Sequence, residues 1–187
     1  EKRLNDRTND DPMATTEPTE TIDSSQPTKR PRRAKSATIT DSKARAAIEL
    51  GLKWLSAHQD VDGKWDCDGF MKHDAANGKI CTGPGNAVHD VGVTGLALLA
   101  FLSRGHSMDT GAYQHNVKQC VKWLCQQQQE NGLLGTNAAH DHIYDHTIAT
   151  YALCKALARC DDKQLRSSAQ MGITYLEWHR NPNSVWR

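Results

Sequence analysis

The 187-residue sequence predicts an all-α fold of two helical layers behind a disordered tail. Three observations carry that reading. Apolar residues recur at three- and four-residue spacing in five segments, with no strand-like alternation of any length. A phrase recurs three times: Gly51-Leu52-Lys53-Trp54-Leu55 with Gln59, Gly63 and Trp65; Cys120-Val121-Lys122-Trp123-Leu124 with Gln128, Gly132 and Leu134; Gly172-Ile173-Thr174-Tyr175-Leu176 with Arg180, Ser184 and Trp186. Recurrence at tens of residues is the mark of a repeat architecture. Finally, amphipathic segments alternate with segments that are apolar nearly all round, so an inner layer is covered by an outer one.

Residues 1–40 are the tail. The first aromatic residue is Trp54, and four of the six prolines stand at Pro12, Pro18, Pro27 and Pro31. Such a stretch buries too little apolar surface to offset its ordering entropy. Its basic run, Lys29-Arg30-Pro31-Arg32-Arg33-Ala34-Lys35, reads as a solvated linker flank or, alternatively, as a nuclear-import signal or anionic-surface patch. The net charge of +1 supplies no global field for nucleic acid, so no nucleic-acid partner is expected. No apolar run approaches the ~18 residues that a membrane span requires, and compartment and oligomeric state stay open.

The folded part occupies residues 41–187. Asp41 or Ser42 caps a helix carrying Ile48, Leu52, Trp54 and Leu55, which ends near His58. Asp66 to Ala87 is irregular and holds five glycines or prolines. Asp90 to Leu102 is apolar on nearly every side and should be fully buried. A third helix over Gln114 to Gln129 shows a stripe of Val117, Cys120, Val121 and Leu124. A fourth, Asp145 to Leu157, aligns with the second from its leading Asp, so Asp90 and Asp145 are read as caps. The fifth runs from about Asp162 to about His179. Two and a half helix pairs cannot close a ring, which predicts a longer parent protein.

The phrase Trp-Leu-x3-Gln followed by Gly-x-Trp resembles the QW motif of the squalene cyclase and prenyltransferase repeat proteins. The resemblance covers residues 41–187 and is best at Trp54 to Trp65. More narrowly, His58-Gln59-x-x-Asp62-Gly63-x-Trp65 and the run from Asp90 to Leu99 resemble bacterial proteins of this class with no assigned reaction. It implies a partial α/α toroid. It also implies an isoprenoid or other hydrophobic small molecule as partner, in an isoprenoid-converting enzyme or in a non-catalytic ligand- or protein-binding scaffold. The Gln can serve free carbonyls at a helix end, the Gly a left-handed turn, and the Trp a fold-back over the next helix.

The cyclases' Asp-x-Asp-Asp acid motif does not occur, Asp66-Cys67-Asp68 being a superficial echo. Neither the prenyltransferases' separated Asp, Cys and His ligands nor a Gly-Cys-Gly-Glu-Gln thioester motif is found. The inner segments offer only Phe101 and Tyr151 to shield a carbocation, which weighs against cyclisation. Catalytic residues and cofactor are therefore unassigned. In a toroid the amino ends of the inner helices open at one mouth, which makes His89, Asp90, Asp145 and His146 the first candidates for a site.

Two metal sets are conceivable. His140, His142 and His146, with Asp141 or Asp145, have ligand chemistry and, for the last two histidines, i, i+4 spacing; the better-supported reading is a polar loop beside a cap. Cys67 and Cys81 flank a Gly-rich loop containing His73, and read as a metal knot, a disulfide or unpaired thiols. The six cysteines form no CxxC pair and are expected to be reduced.

Overall fold

The computed structural model describes residues 42–74, 76, 78 and 81–180. The tail, its basic run, Ser184 and Trp186 lie outside the described residues.

Five helices follow one another: α1 (Ser42–Ala57), α2 (Asp90–Ser103), α3 (Gln114–Gln126), α4 (His142–Leu157) and α5 (Lys163–Trp178). Among the described residues there is no strand, only an isolated antiparallel bridge between Gln128 and Leu134. None of the described helices is long and apolar enough to cross a membrane.

α2 and α4 pack against each other more extensively than any other pair, and α4 then packs on α5. The contact with α4 requires small residues on α2. A Cβ at Gly95 would stand 3.0 Å from the Ala149 Cα, and one at Gly92 would collide with the Asp145 carboxylate. Phe101, Leu98, Val117, Leu124, Leu153 and Leu165 meet in the core below this pair. Fully burying a side chain of this size contributes roughly 1.5–3 kcal/mol, so these six account for much of the gross stabilisation.

α1 carries its apolar stripe as expected: Leu52 is buried, and Ile48 and Leu55 pack beside it. On α3 the stripe Val117, Cys120, Val121 and Leu124 is buried, together with Trp123. α5 begins where Asp162 accepts a hydrogen bond from the Leu165 N–H at 2.8 Å, a side-chain cap on the first turn.

Four expectations change. α2 is not buried on every side, since Leu96 remains 55% exposed and Val93 and Ala100 are only partly covered. α3 stops at Gln126, because Gln129 turns its N–H to the Leu133 carbonyl and Gln128 pairs with Leu134. α4 starts at His142, three residues before Asp145. Neither Asp90 nor Asp145 is a cap: the cap positions belong to His89 and Asp141, and neither makes a side-chain cap bond.

The earlier start of α4 resets the internal repeat. A step of 52 residues carries Asp90 to His142 and Thr94 to His146. Hydrogen bonds confirm it. The Trp65 N–H donates to Thr94 Oγ1 at 2.9 Å, and the N–H of its counterpart Leu134 donates to His146 Nδ1 at 3.0 Å. The same step carries Asn116 to Ser168. Gln59 Nε2 donates to the Gly63 and Asn116 carbonyls at 2.9 and 3.0 Å, and Gln128 Nε2 to the Gly132 and Ser168 carbonyls at 3.1 and 2.9 Å. Each Gln therefore ties its own turn to the next amphipathic helix, rather than closing its own helix end.

Candidate functional site

The longest irregular segment starts at Trp65, whose side chain is buried, donates its Nε1–H to the Leu55 carbonyl at 2.9 Å and lies 5.9 Å from the Phe101 ring. With Trp65 pinned, the chain must turn back across the end of α1. Asp66 shapes that turn by accepting the Gly69 N–H at 2.8 Å and the Asp68 N–H at 3.2 Å. A short 3-10 turn, Phe70–His73, follows.

Ion pairs hold this turn in place. Lys72 Nζ lies 2.6 Å from Asp60 and 2.8 Å from Asp66, and His73 Nε2 lies 2.6 Å from Asp60. Lys64 Nζ bridges Asp90 at 2.7 Å and Asp66 at 3.6 Å, while the Cys67 N–H donates to Asp90 at 2.8 Å. The Lys72 ammonium holds the Asp66 carboxyl well below the ordinary carboxylate range, and Asp66 in turn pushes the Asp68 carboxyl up. Among the described residues, Asp66, Asp68 and Asp90 are the group whose ligand atoms lie within 4.8 Å of one another. Lys64 already pairs with two of them.

The turn forms one wall of an apolar groove of about 390 Å³ between α1 and α2. Trp54, Leu55 and His58 line it from α1, Val93, Leu96 and Ala97 from α2, and Trp65, Asp66, Cys67 and Phe70 from the connecting segment. Its volume falls within the range of small-molecule pockets, ~300–1,000 Å³. Trp54 stays 50% exposed beside the exposed Leu96. His58 is buried, stacks on Trp54 with ring centroids 3.9 Å apart, and holds the Trp54 carbonyl through Nδ1 at 2.8 Å. Tyr175 and His179 repeat this stack at 3.9 Å with a 2.9 Å hydrogen bond, so aromatic-x3-His is a second recurrent unit.

The four mouth candidates divide. His89 Nδ1 and Asp145 Oδ2 lie 2.8 Å apart, joining the amino ends of α2 and α4. The hydrogen bond and charge of Asp145 push the His89 imidazole above its ordinary value, and its side chain is 33% exposed. Asp90 turns the other way, to Lys64 and Cys67. His146 is fully buried, accepts the Leu134 N–H on Nδ1 and meets the Gly172 carbonyl with Nε2 at 3.1 Å. Burial pushes its imidazole down to about 4.

The histidine set for a metal does not converge. His146 is committed to the core, His142 Nδ1 to the Ala139 carbonyl at 3.0 Å, and His140 is exposed on the preceding turn. Cys67 and Cys81 are free thiols, Cys81 exposed with its N–H on Asp74.

Sequence reasoning missed the groove. Its walls come from segments with no shared periodicity, and His58 was read only as part of the motif that ends the first helix. The signal that could have found it is the repeated histidine four residues after Trp54 and Tyr175. Comparison with known proteins returns no matching family model, no similar curated protein and no similar solved structure.

Proposed function

We propose that the helical domain is a squalene cyclase/prenyltransferase-type repeat whose groove holds a hydrophobic, isoprenoid-like molecule. In this reading α2 and α4 belong to the inner layer of an α/α toroid and α1, α3 and α5 to the outer one. The repeated Gln–Gly turn supports the repeat assignment, because the same hydrogen bonds recur at Gln59 and Gln128.

The observation that carries the function is the groove itself. Trp54 and Leu96 stay about half exposed over a concave, largely apolar wall, where a core-forming helix would have buried them. Apolar surface left concave in this way gains from covering by an apolar chain at about 25 cal/mol per Å². The groove supplies the affinity, so binding of a hydrophobic molecule is the function that the described residues support best. The test is Trp fluorescence titration with a fifteen-carbon isoprenoid hydrocarbon. Saturable binding with a Kd on the order of 10 μM, weakened at least tenfold by Leu96→Glu, is expected. Unsaturable partitioning, or binding indifferent to that substitution, overturns the reading.

Isoprenoid conversion is a second reading, favoured by the His89–Asp145 pair. Asp145 fixes Nδ1, so Nε2 is the atom free to move a proton at a partly exposed position. Product formation from an isoprenoid substrate that disappears in His89→Gln supports it; product formation untouched by that change excludes it.

A further inference from the structure

The groove is one-sided in its hydrogen-bonding chemistry. His58, which lines it, commits its Nδ1–H to the Trp54 carbonyl, so in the neutral ring Nε2 is a buried lone-pair acceptor without a hydrogen-bond partner. Asp74 Oδ1, 3.7 Å away, is another acceptor. Asp66 lines the groove as well.

Charge points the same way. Among the described residues around the turn, the carboxylates Asp60, Asp66, Asp74 and Asp90 stand in ion-pair range of Lys64, Lys72, His58 or His73. Asp68 adds a fifth within 4.8 Å of Asp66 and Asp90. Each ammonium is shared between two carboxylates. The region is negative with the histidines neutral, and stays so with both protonated. Among the described residues, no Lys or Arg lines the groove.

We propose that the groove takes an apolar chain ending in a hydrogen-bond donor, either a hydroxyl or a protonated amine, and rejects the phosphate ester of the same chain. This rests on the reading of the groove as a hydrophobic-ligand site. A donor head finds the Asp66 carboxylate and the vacant Nε2 acceptor of neutral His58. A phosphate meets carboxylates whose described cations, Lys64 and Lys72, are already paired, and such like-charge juxtaposition opposes binding.

The experiment is calorimetric titration of the 187-residue chain with four probes sharing one fifteen-carbon isoprenoid chain: the hydrocarbon, the alcohol, the amine and the monophosphate. The alcohol and amine are expected to bind at least about fivefold tighter than the hydrocarbon, and the monophosphate at least about tenfold weaker than the amine. Asp68→Asn, at an exposed position, should weaken the amine about threefold and leave the hydrocarbon unchanged. Equal or tighter binding of the monophosphate, affinities indifferent to the head group, or an amine advantage untouched by Asp68→Asn overturns the proposal. If the hydrocarbon itself fails to bind, the hydrophobic-ligand reading falls and this proposal with it. If it binds and the heads are not distinguished, only this proposal falls.

Discussion

His146 and Gly172 are joined across the α4–α5 contact by a buried hydrogen bond, 3.1 Å from the imidazole Nε2 to the carbonyl oxygen. The other ring nitrogen accepts the Leu134 N–H, which can only donate. The pair of bonds therefore fixes the neutral tautomer with the proton on Nε2. Copy one solves the same position with a smaller group. Thr94 accepts the Trp65 N–H, and Cys120, one repeat step before Gly172, donates its S–H to the Thr94 carbonyl at 3.6 Å. A small partner on α5 allows a large imidazole on α4.

A proton on Nδ1 would break the bond to Leu134 and place a charge in the core. Burial accordingly lowers the His146 imidazole from the ordinary 6.5 to about 4. Between these values the unfolded chain binds the proton and the folded chain does not, so stability rises with pH there. Acidification from pH 7 to 4 is expected to cost up to about 3 kcal/mol through this one group. Urea unfolding at pH 7 and pH 4.5 measures it, and His146→Thr should flatten the difference while retaining an acceptor for Leu134. An unchanged pH slope in that variant assigns the loss to other groups.

The His89–Asp145 pair carries the opposite sign. The raised imidazole value means that its contribution is fully present below pH 6.5 and is lost as pH rises through the folded value. Solvent reaches this pair, so its contribution to stability should stay below about 1 kcal/mol. The direct readout is the NMR titration of the His89 ring, with a midpoint above 6.5 that falls in Asp145→Asn. A midpoint insensitive to Asp145 contradicts the pairing.

Helix positions were legible wherever burial imposes a period. Ile48, Leu52 and Leu55 announce α1, and the Val117–Leu124 stripe announces α3. The start of α4 was hidden because His142, Ile143 and Tyr144 read as a polar loop and Asp145 imitates a cap. What decides the register is the bond from Leu134 to His146, which a sequence does not display. The ion pairs of the groove wall were hidden for a related reason: Lys72 reaches Asp60 and Asp66 only after the chain has folded back around Trp65. His89 and Asp145 could be suspected as neighbours from two inner helices starting at one end, and their distance is 2.8 Å.

Gly63 and Gly132 occupy equivalent turns with φ of 107° and 93°, and a Cβ on either would press into a backbone carbonyl of the next helix, Gln119 or Met171. Gly105 has φ of 91° but open space around it. Gly105→Ala should therefore cost only the left-handed strain, about 1 kcal/mol. Gly63→Ala and Gly132→Ala should each cost about 2–4 kcal/mol, because backbone must also move. Chemical denaturation of the three variants checks the ordering. Equal losses at all three would mean that the close approach to α3 and α5 contributes nothing.

Gln59 and Gln128 occupy equivalent positions with unequal satisfaction. Both donate to two carbonyls, but Gln59 Oε1 also accepts the Asn116 side-chain amide at 2.6 Å, whereas Gln128 Oε1 is buried with no partner. The difference lies in the partner helix, where α5 has Ser168 in place of Asn116 of α3. Gln59→Ala should therefore cost about 1 kcal/mol more than Gln128→Ala, since it also strands the Asn116 amide. Conversely, Ser168→Asn places an amide donor opposite the vacant Gln128 oxygen. That substitution is expected to stabilise the fold by about 1 kcal/mol, and to do so only while Gln128 is present. A double-mutant cycle of Ser168→Asn with Gln128→Ala measures the coupling. A gain that survives loss of Gln128 would show that the new amide acts elsewhere, and a coupling of the opposite sign would show that the site has no room for it.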